Sequence, residues 1–223
     1  YTSPMTNYLS PTAHIDSQHP DIIAFAQNIT QHLATPAEQA VALYKAVRDQ
    51  IAYDPYTLDL TPQHIKASIT LARGRGYCIE KSMVMAAACR AIGIPARLGF
   101  ANVRNHLATP KFIAHLRTDV FVFHGYVSLW IDGKWVKATP VFDHAICQKF
   151  GVPTLDFDGQ NDAILQAFDA DNSNKAFMEY LCYHGEFEDL PYTLFVAELQ
   201  KYYPHFFGDN KHSFVEKENS ISV

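Results

Sequence analysis

The chain has few means of cross-linking itself. Its 223 residues hold four cysteines, Cys78, Cys89, Cys147 and Cys182, with no CxxC pair and no regular spacing, which argues against a disulfide framework or a zinc knuckle and for reduced thiols. It also lacks a membrane-length apolar run. No charged, apolar, small-residue leader opens it, so the expected location is cytoplasmic. Basic charge is not in excess: the net charge of −5 and pI near 6.1 argue against nucleic acid or an anionic membrane as partner. No internal repeat or low-complexity block is present. What remains is ordinary globular composition, 48% hydrophobic and 18% charged, in a length that can bury a sizeable core.

Chemistry concentrates at Gly74-Arg75-Gly76-Tyr77-Cys78-Ile79-Glu80, where a glycine-punctuated turn gives way to helix formers from Met83 to Ile92. A helix N-terminus presents unpaired N–H groups and about half a positive charge, which favours a thiolate and can receive an oxyanion. Glycines at 74 and 76 let the backbone take unusual φ or approach a ligand closely. A core cysteine needs neither, and Cys89, farther along the same helix, is read as core packing.

A thiol nucleophile needs a base. Downstream, Val120 to Ile131 is β-branched and aromatic around His124; Asp132-Gly133 is a hairpin signal, and Lys134 to Thr139 returns as a second strand. His124 is thus a strand residue. If the turn pairs Ile131 with Lys134, Val141 lies opposite His124, and Thr139 and Asp143 are its diagonal neighbours on the same face. Either could reach the imidazole. Asp143 is the favoured orienter because it adds charge, although Pro140 can end the strand first and Asp143 can instead cap a helix from His144.

Gly76-Tyr77-Cys78-Ile79-Glu80, then Cys89-Arg90-Ala91-Ile92-Gly93-Ile94-Pro95-Ala96-Arg97, then His124 and Trp135 on a hairpin resemble the transglutaminase-like core, a superfamily of papain-like thiol enzymes. The resemblance runs from about Ala37 to Phe142. It implies an α+β fold with the cysteine on a central helix packed against an antiparallel sheet, and a Cys-His-Asp triad that moves an acyl group from an amide to the thiol and then to water or an amine. The chain departs from the family at Thr139, where the family carries the aspartate.

On this reading Cys78, His124 and Asp143 are catalytic, with Thr139, Tyr53 and Tyr77 as possible supporting groups. Tyr53, Tyr56 or Tyr77 could supply a second oxyanion donor, although each reads more readily as a surface-turn tyrosine. Arg73 and Arg75 are weak candidates for holding a substrate carboxylate, on a solvated basic face that includes Lys81. The partner is a peptide, protein or small amide. No cofactor or metal is expected, since no calcium loop is formed around Asp156 to Gly159 and the spacing of His106, His115, His124 and His144 matches no ligand pair. Amine-transferring transglutaminase activity and an inactive peptide-binding domain are the alternatives.

One domain is expected over residues 1–207: a core over 37–142, a helical extension over 143–207, and a frayed polar tail over 208–223. Helices are expected from Asp21 to Leu33 and from Pro36 to Ile51, the second opened by a Thr35/Glu38 capping box. Residues 102–119 read as a long polar connection that could form a lid, and 174–203 as two helical stretches packing Phe177, Tyr180, Phe195 and Tyr202.

Overall fold

The computed structural model describes residues 5–105, 109–164 and 178–208. Two helices open it. Helix α1, Pro20–Thr30, starts at a proline behind His19, whose ring accepts the Asp21 N–H. Helix α2, Pro36–Gln50, carries the expected capping box: Glu38 N–H donates to Thr35 Oγ1 at 3.2 Å and Thr35 N–H to Glu38 Oε2 at 3.0 Å. Strand β1 (Ala52–Tyr53), helix α3 (Ala67–Arg73) and strand β2 (Arg75–Gly76) lead into helix α4, Cys78–Ala91, with β1 and β2 paired in parallel.

Helix α4 is the axis of the fold. Every residue from Cys78 to Arg90 is buried, and the helix has no polar stripe because helices pack on one side and the sheet on the other. Strands β3 (Ala96–Asn105), β4 (Val120–Ile131), β5 (Lys134–Ala138) and β6 (Met178–Phe187) form an antiparallel sheet in the order β5-β4-β3-β6. Helix α5 (Pro110–Leu116) lies between β3 and β4 in sequence, α6 (His144–Phe150) follows β5, and α7 (Tyr192–Tyr202) follows β6. The hairpin pairs Ile131 with Lys134 as expected. Asp132 and Gly133 both have positive φ, 49° and 84°, the signature of a turn whose twist matches the flanking strands.

Three expectations are corrected. Residues 102–119 do not form one long connection: β3 continues to Asn105, and Thr109 caps α5 by accepting the Phe112 N–H at 3.2 Å. Thr109-Pro110 is a helix-start pair that the polar composition masked. The first of the two C-terminal helical stretches is the edge strand β6, because β3 offers its free side and pairing overrides a weak helical pattern. Strand β5 stops at Ala138; Thr139 N–H donates instead to Ala163 O at 2.9 Å, and Pro140 has no N–H with which to continue a ladder. The expected tail beyond residue 208, and Phe177, lie outside the described residues.

Candidate active site

Cys78 is the first residue of α4, where its own N–H has no intrahelical acceptor. Tyr77 N–H donates to Glu80 Oε2 at 2.8 Å, and Glu80 also forms an ion pair with Arg73. The turn that presents the thiol is therefore fixed by a buried carboxylate. Burial pushes the Cys78 thiol up to about 12, while the N–H groups of Gly125 and Ile79 and the Tyr77 hydroxyl pull it down. The Gly125 contact joins helix to sheet: a Cβ at that position would lie 3.1 Å from the Ile79 Cα, so only glycine lets β4 approach the start of α4 this closely.

His124, the residue before Gly125, is buried, and burial pushes its imidazole down to about 4. Among the described residues its Nε2 has no hydrogen-bond partner. An unpartnered buried polar atom is costly and calls for a role. The backbone leading to it is irregular. Residues 122 and 123 stand opposite Asn102 alone, a β-bulge, and Phe123 has φ of 62°. For a bulky residue that conformation costs about 1–3 kcal/mol and persists only when its surroundings hold it. They do: Asn102 Oδ1 accepts the Phe123 N–H at 3.0 Å and lies 2.8 Å from His184 Nε2, and the Phe123 ring packs on Phe100, His184 and Phe195.

Asp143 is placed away from the role favoured from sequence. Its Oδ1 accepts the Ile146 N–H at 2.9 Å, capping α6, and its Oδ2 accepts the Tyr53 N–H at 2.8 Å. No hydrogen bond joins it to His124 among the described residues, because the strand that would have carried it opposite the histidine ends at Ala138. Thr139 is buried with its Oγ1 unpartnered among the described residues, its N–H bonded to Ala163 and its carbonyl to the Tyr44 hydroxyl. Nor does a hydrogen bond join Cys78 to His124; strand and thiol meet through Gly125.

The supporting residues divide. Tyr77 is buried rather than a surface-turn residue, and its ring stacks 6.4 Å from that of Tyr53, which in turn packs on Phe142. Arg73 is spent on Glu80, and Arg75 lies 3.6 Å from Asp54. Lys81 does not belong to a solvated face: it is fully buried, donates to the Arg48 and Ile51 carbonyls at 2.9 and 2.5 Å, and is pushed down to about 7 by burial. It ties the first turn of α4 to the end of α2. Sequence reading missed Asn102 and Tyr203, because both act on the bulge across sequence distances that no local pattern records. The candidate histidines do not converge. His115 packs on Phe112 and Phe206, His144 Nδ1 lies 3.2 Å from Thr154, and His106 is outside the described residues. Among the described residues no three His, Cys, Asp or Glu side chains could hold a metal ion.

Beside Tyr53 a cleft of about 360 Å³ opens between the loop after β1, helix α5 and helix α6. Its walls are aromatic, with Tyr56, Phe112, Phe121 and Phe142, and Lys111 and Lys149 belong to its lining.

A thiol at the mouth of a central helix thus lies against a sheet strand that carries a buried histidine. The model of the transglutaminase-like superfamily matches residues 23–140, more than half of the chain, and the protein belongs to that superfamily. The match begins earlier than the expected core and takes in most of α1. No curated protein matches the chain. Solved structures similar to it include the following three. A candidate cysteine protease from Cytophaga hutchinsonii is 16% identical with TM-score 0.48, over 82% of this chain and 55% of that one. A candidate protease from Parabacteroides distasonis is 16% identical with TM-score 0.41, over 61% of this chain and 26% of that one. The periplasmic domain of TgpA from Pseudomonas aeruginosa is 21% identical with TM-score 0.43, over 62% and 47%. The chain thus spans about half the length of the first and third and about a quarter of the second.

Proposed function

We propose that the protein is a thiol-dependent hydrolase or acyltransferase acting on an amide bond, with Cys78 as nucleophile and His124 as base. The observation that carries this reading is the close approach of β4 to the start of α4: a Cβ at Gly125 would lie 3.1 Å from the Ile79 Cα, so the residue after the buried imidazole of His124 meets the residue after the thiol.

With the thiol pushed up and the imidazole pushed down by burial, the resting pair is thiol and neutral imidazole, and the proton moves during attack. Cys78 sulfur bonds to the amide carbonyl carbon while His124 takes the thiol proton. The carbonyl oxygen becomes an oxyanion against the unpaired N–H groups of the first turn of α4. Collapse breaks the carbon–nitrogen bond, His124 returns the proton to the leaving amine, and a thioester remains. Water or a second amine, deprotonated by His124, then attacks the thioester and releases the thiol. Thr139, with its hydroxyl unpartnered among the described residues, is the better candidate to orient the imidazole; Asp143 holds α6 and β1 in place. We also place the protein in the cytoplasm, where its four unbridged cysteines would stay reduced.

The test is alkylation by iodoacetamide at neutral pH with peptide mass mapping. Cys78 is expected to label faster than Cys89 and Cys147, which are buried to the same degree but do not stand at the mouth of a helix, and His124→Ala to slow it by roughly 10²-fold or more, the scale of a lost general base. Thr139→Val is expected to slow it further than Asp143→Asn. Labelling of Cys78 that ignores His124 would favour a peptide-binding domain that has lost its chemistry, a reading motivated by Thr139 at the family's aspartate position.

A further inference from the structure

The aromatic cleft beside Tyr53 carries an uncompensated charge. The negative group in its lining, Asp54, is already opposed by Arg75 at 3.6 Å. Lys111 on α5 and Lys149 on α6 both line the cleft, both are exposed, and neither pairs with a carboxylate among the described residues. The Lys111 ammonium is held over the Tyr56 ring, 5.3 Å from its centroid. Phe112, Phe121 and Phe142 give the same cleft an apolar lining, and Tyr53, which packs on both Phe142 and Tyr77, connects that lining to the turn that bears Cys78. The arginines suggested from sequence are paired, Arg73 with Glu80 and Arg75 with Asp54, whereas the two lysines of the cleft have no carboxylate partner among the described residues.

We propose that this cleft binds acidic peptide segments: an apolar side chain of the substrate lies between the aromatic walls, and carboxylates flanking it face Lys111 and Lys149. Charge complementarity selects the partner, since a basic peptide would set like charges against both lysines and an uncharged one would leave both cations unopposed. The proposal rests on the thiol acyl-transfer reading for calling the peptide a substrate, but binding itself needs no chemistry.

The experiment therefore uses the full chain carrying Cys78→Ala and two fluorescein-labelled, acetylated and amidated octapeptides. Both have a central Phe-Gln, flanked in one by glutamates and in the other by lysines. Fluorescence anisotropy is expected to show the acidic peptide binding about three- to tenfold tighter, the range that two solvent-exposed ion pairs supply. The preference is expected to vanish in Lys111→Gln/Lys149→Gln and to shrink as salt rises from about 0.02 to 0.15 M. Lys149→Gln alone should remove about half of it. Equal binding, a preference for the basic peptide, no binding of either, or a preference that survives the double substitution would overturn the proposal. Failure of His124-dependent labelling with the preference intact would remove the acyl-transfer reading and leave the binding site; the converse result would do the opposite.

Discussion

The two halves of strand β4 are built by different means. From Val127 to Ile131 the strand is paired on both sides, with β3 and with β5, and its inward side chains Val127, Leu129 and Ile131 are buried. From Val120 to Tyr126 the ladder to β3 is broken by the bulge, and among the described residues no strand pairs on the other side. Side chains take over. Val122 N–H donates to the Tyr203 hydroxyl at 2.8 Å and Phe123 N–H to Asn102 at 3.0 Å, and Gly125 lies against the start of α4. The regular half is a scaffold that any apolar strand could supply. At the bulge the amides of Val122 and Phe123 are each answered by one particular side chain, and His124 follows directly.

This division can be broken most severely at the thiol. Cys78→Ala is expected to abolish amide turnover, and His124→Ala to lower it by roughly 10²- to 10⁴-fold, with both variants still folded by circular dichroism under the assay conditions. Loss of turnover without loss of fold is the mark of the irregular half. The opposite outcome is expected at Leu129, which is fully buried in the regular half. Leu129→Ala should cost about 2–5 kcal/mol in urea unfolding, while Cys78 in the molecules that remain folded labels at the parent rate. A large change in that rate would mean that the two halves are not separable.

A pH titration sharpens the contrast. Burial holds His124 down to about 4 against an ordinary value near 6.5. Between those values the unfolded chain takes up a proton that the folded protein refuses, so the histidine's contribution is full above about pH 6.5 and is lost as pH falls toward 4. The loss should approach about 3 kcal/mol, from the 1.36 kcal/mol that each pH unit carries. Urea midpoints at pH 7, 5.5 and 4.5 measure it. His124→Gln is expected to flatten this part of the profile; an unchanged slope would mean that the imidazole is not buried in neutral form.

The same division explains what sequence could carry. The capping box at Thr35, the Asp132-Gly133 turn and the thiol at the start of α4 are local signals, each set by residues within a few positions of one another, and each is present in the structure. Lys81 and Asp143 failed as local readings for two reasons. A helix buried on all sides gives no stripe from which to infer that a lysine in its first turn lies inside. An aspartate before a helix and an aspartate beside a histidine have the same sequence signature, and only the end of β5 at Ala138 separates them. The bulge depends on Asn102 from the neighbouring strand and on Tyr203 from beyond the family match, so no window around His124 contains its cause.

Tyr203 gives the smallest and most discriminating effect. Its hydroxyl accepts the Val122 N–H at 2.8 Å and donates to the Val120 carbonyl at 2.7 Å, and the residue is almost wholly buried. Tyr203→Phe keeps the ring and its packing but leaves a backbone donor and a backbone acceptor without a partner beside the bulge. Global stability should fall by about 1–3 kcal/mol. The sharper readout is local. Amide hydrogen exchange at Val122 and Phe123 should quicken more than at Leu129, because the first two lie where side chains replace a strand and the last has a strand on either side. If exchange quickens equally along the whole of β4, the strand behaves as one cooperative unit. The positive φ at Phe123 would then be held by the sheet rather than by Asn102 and Tyr203.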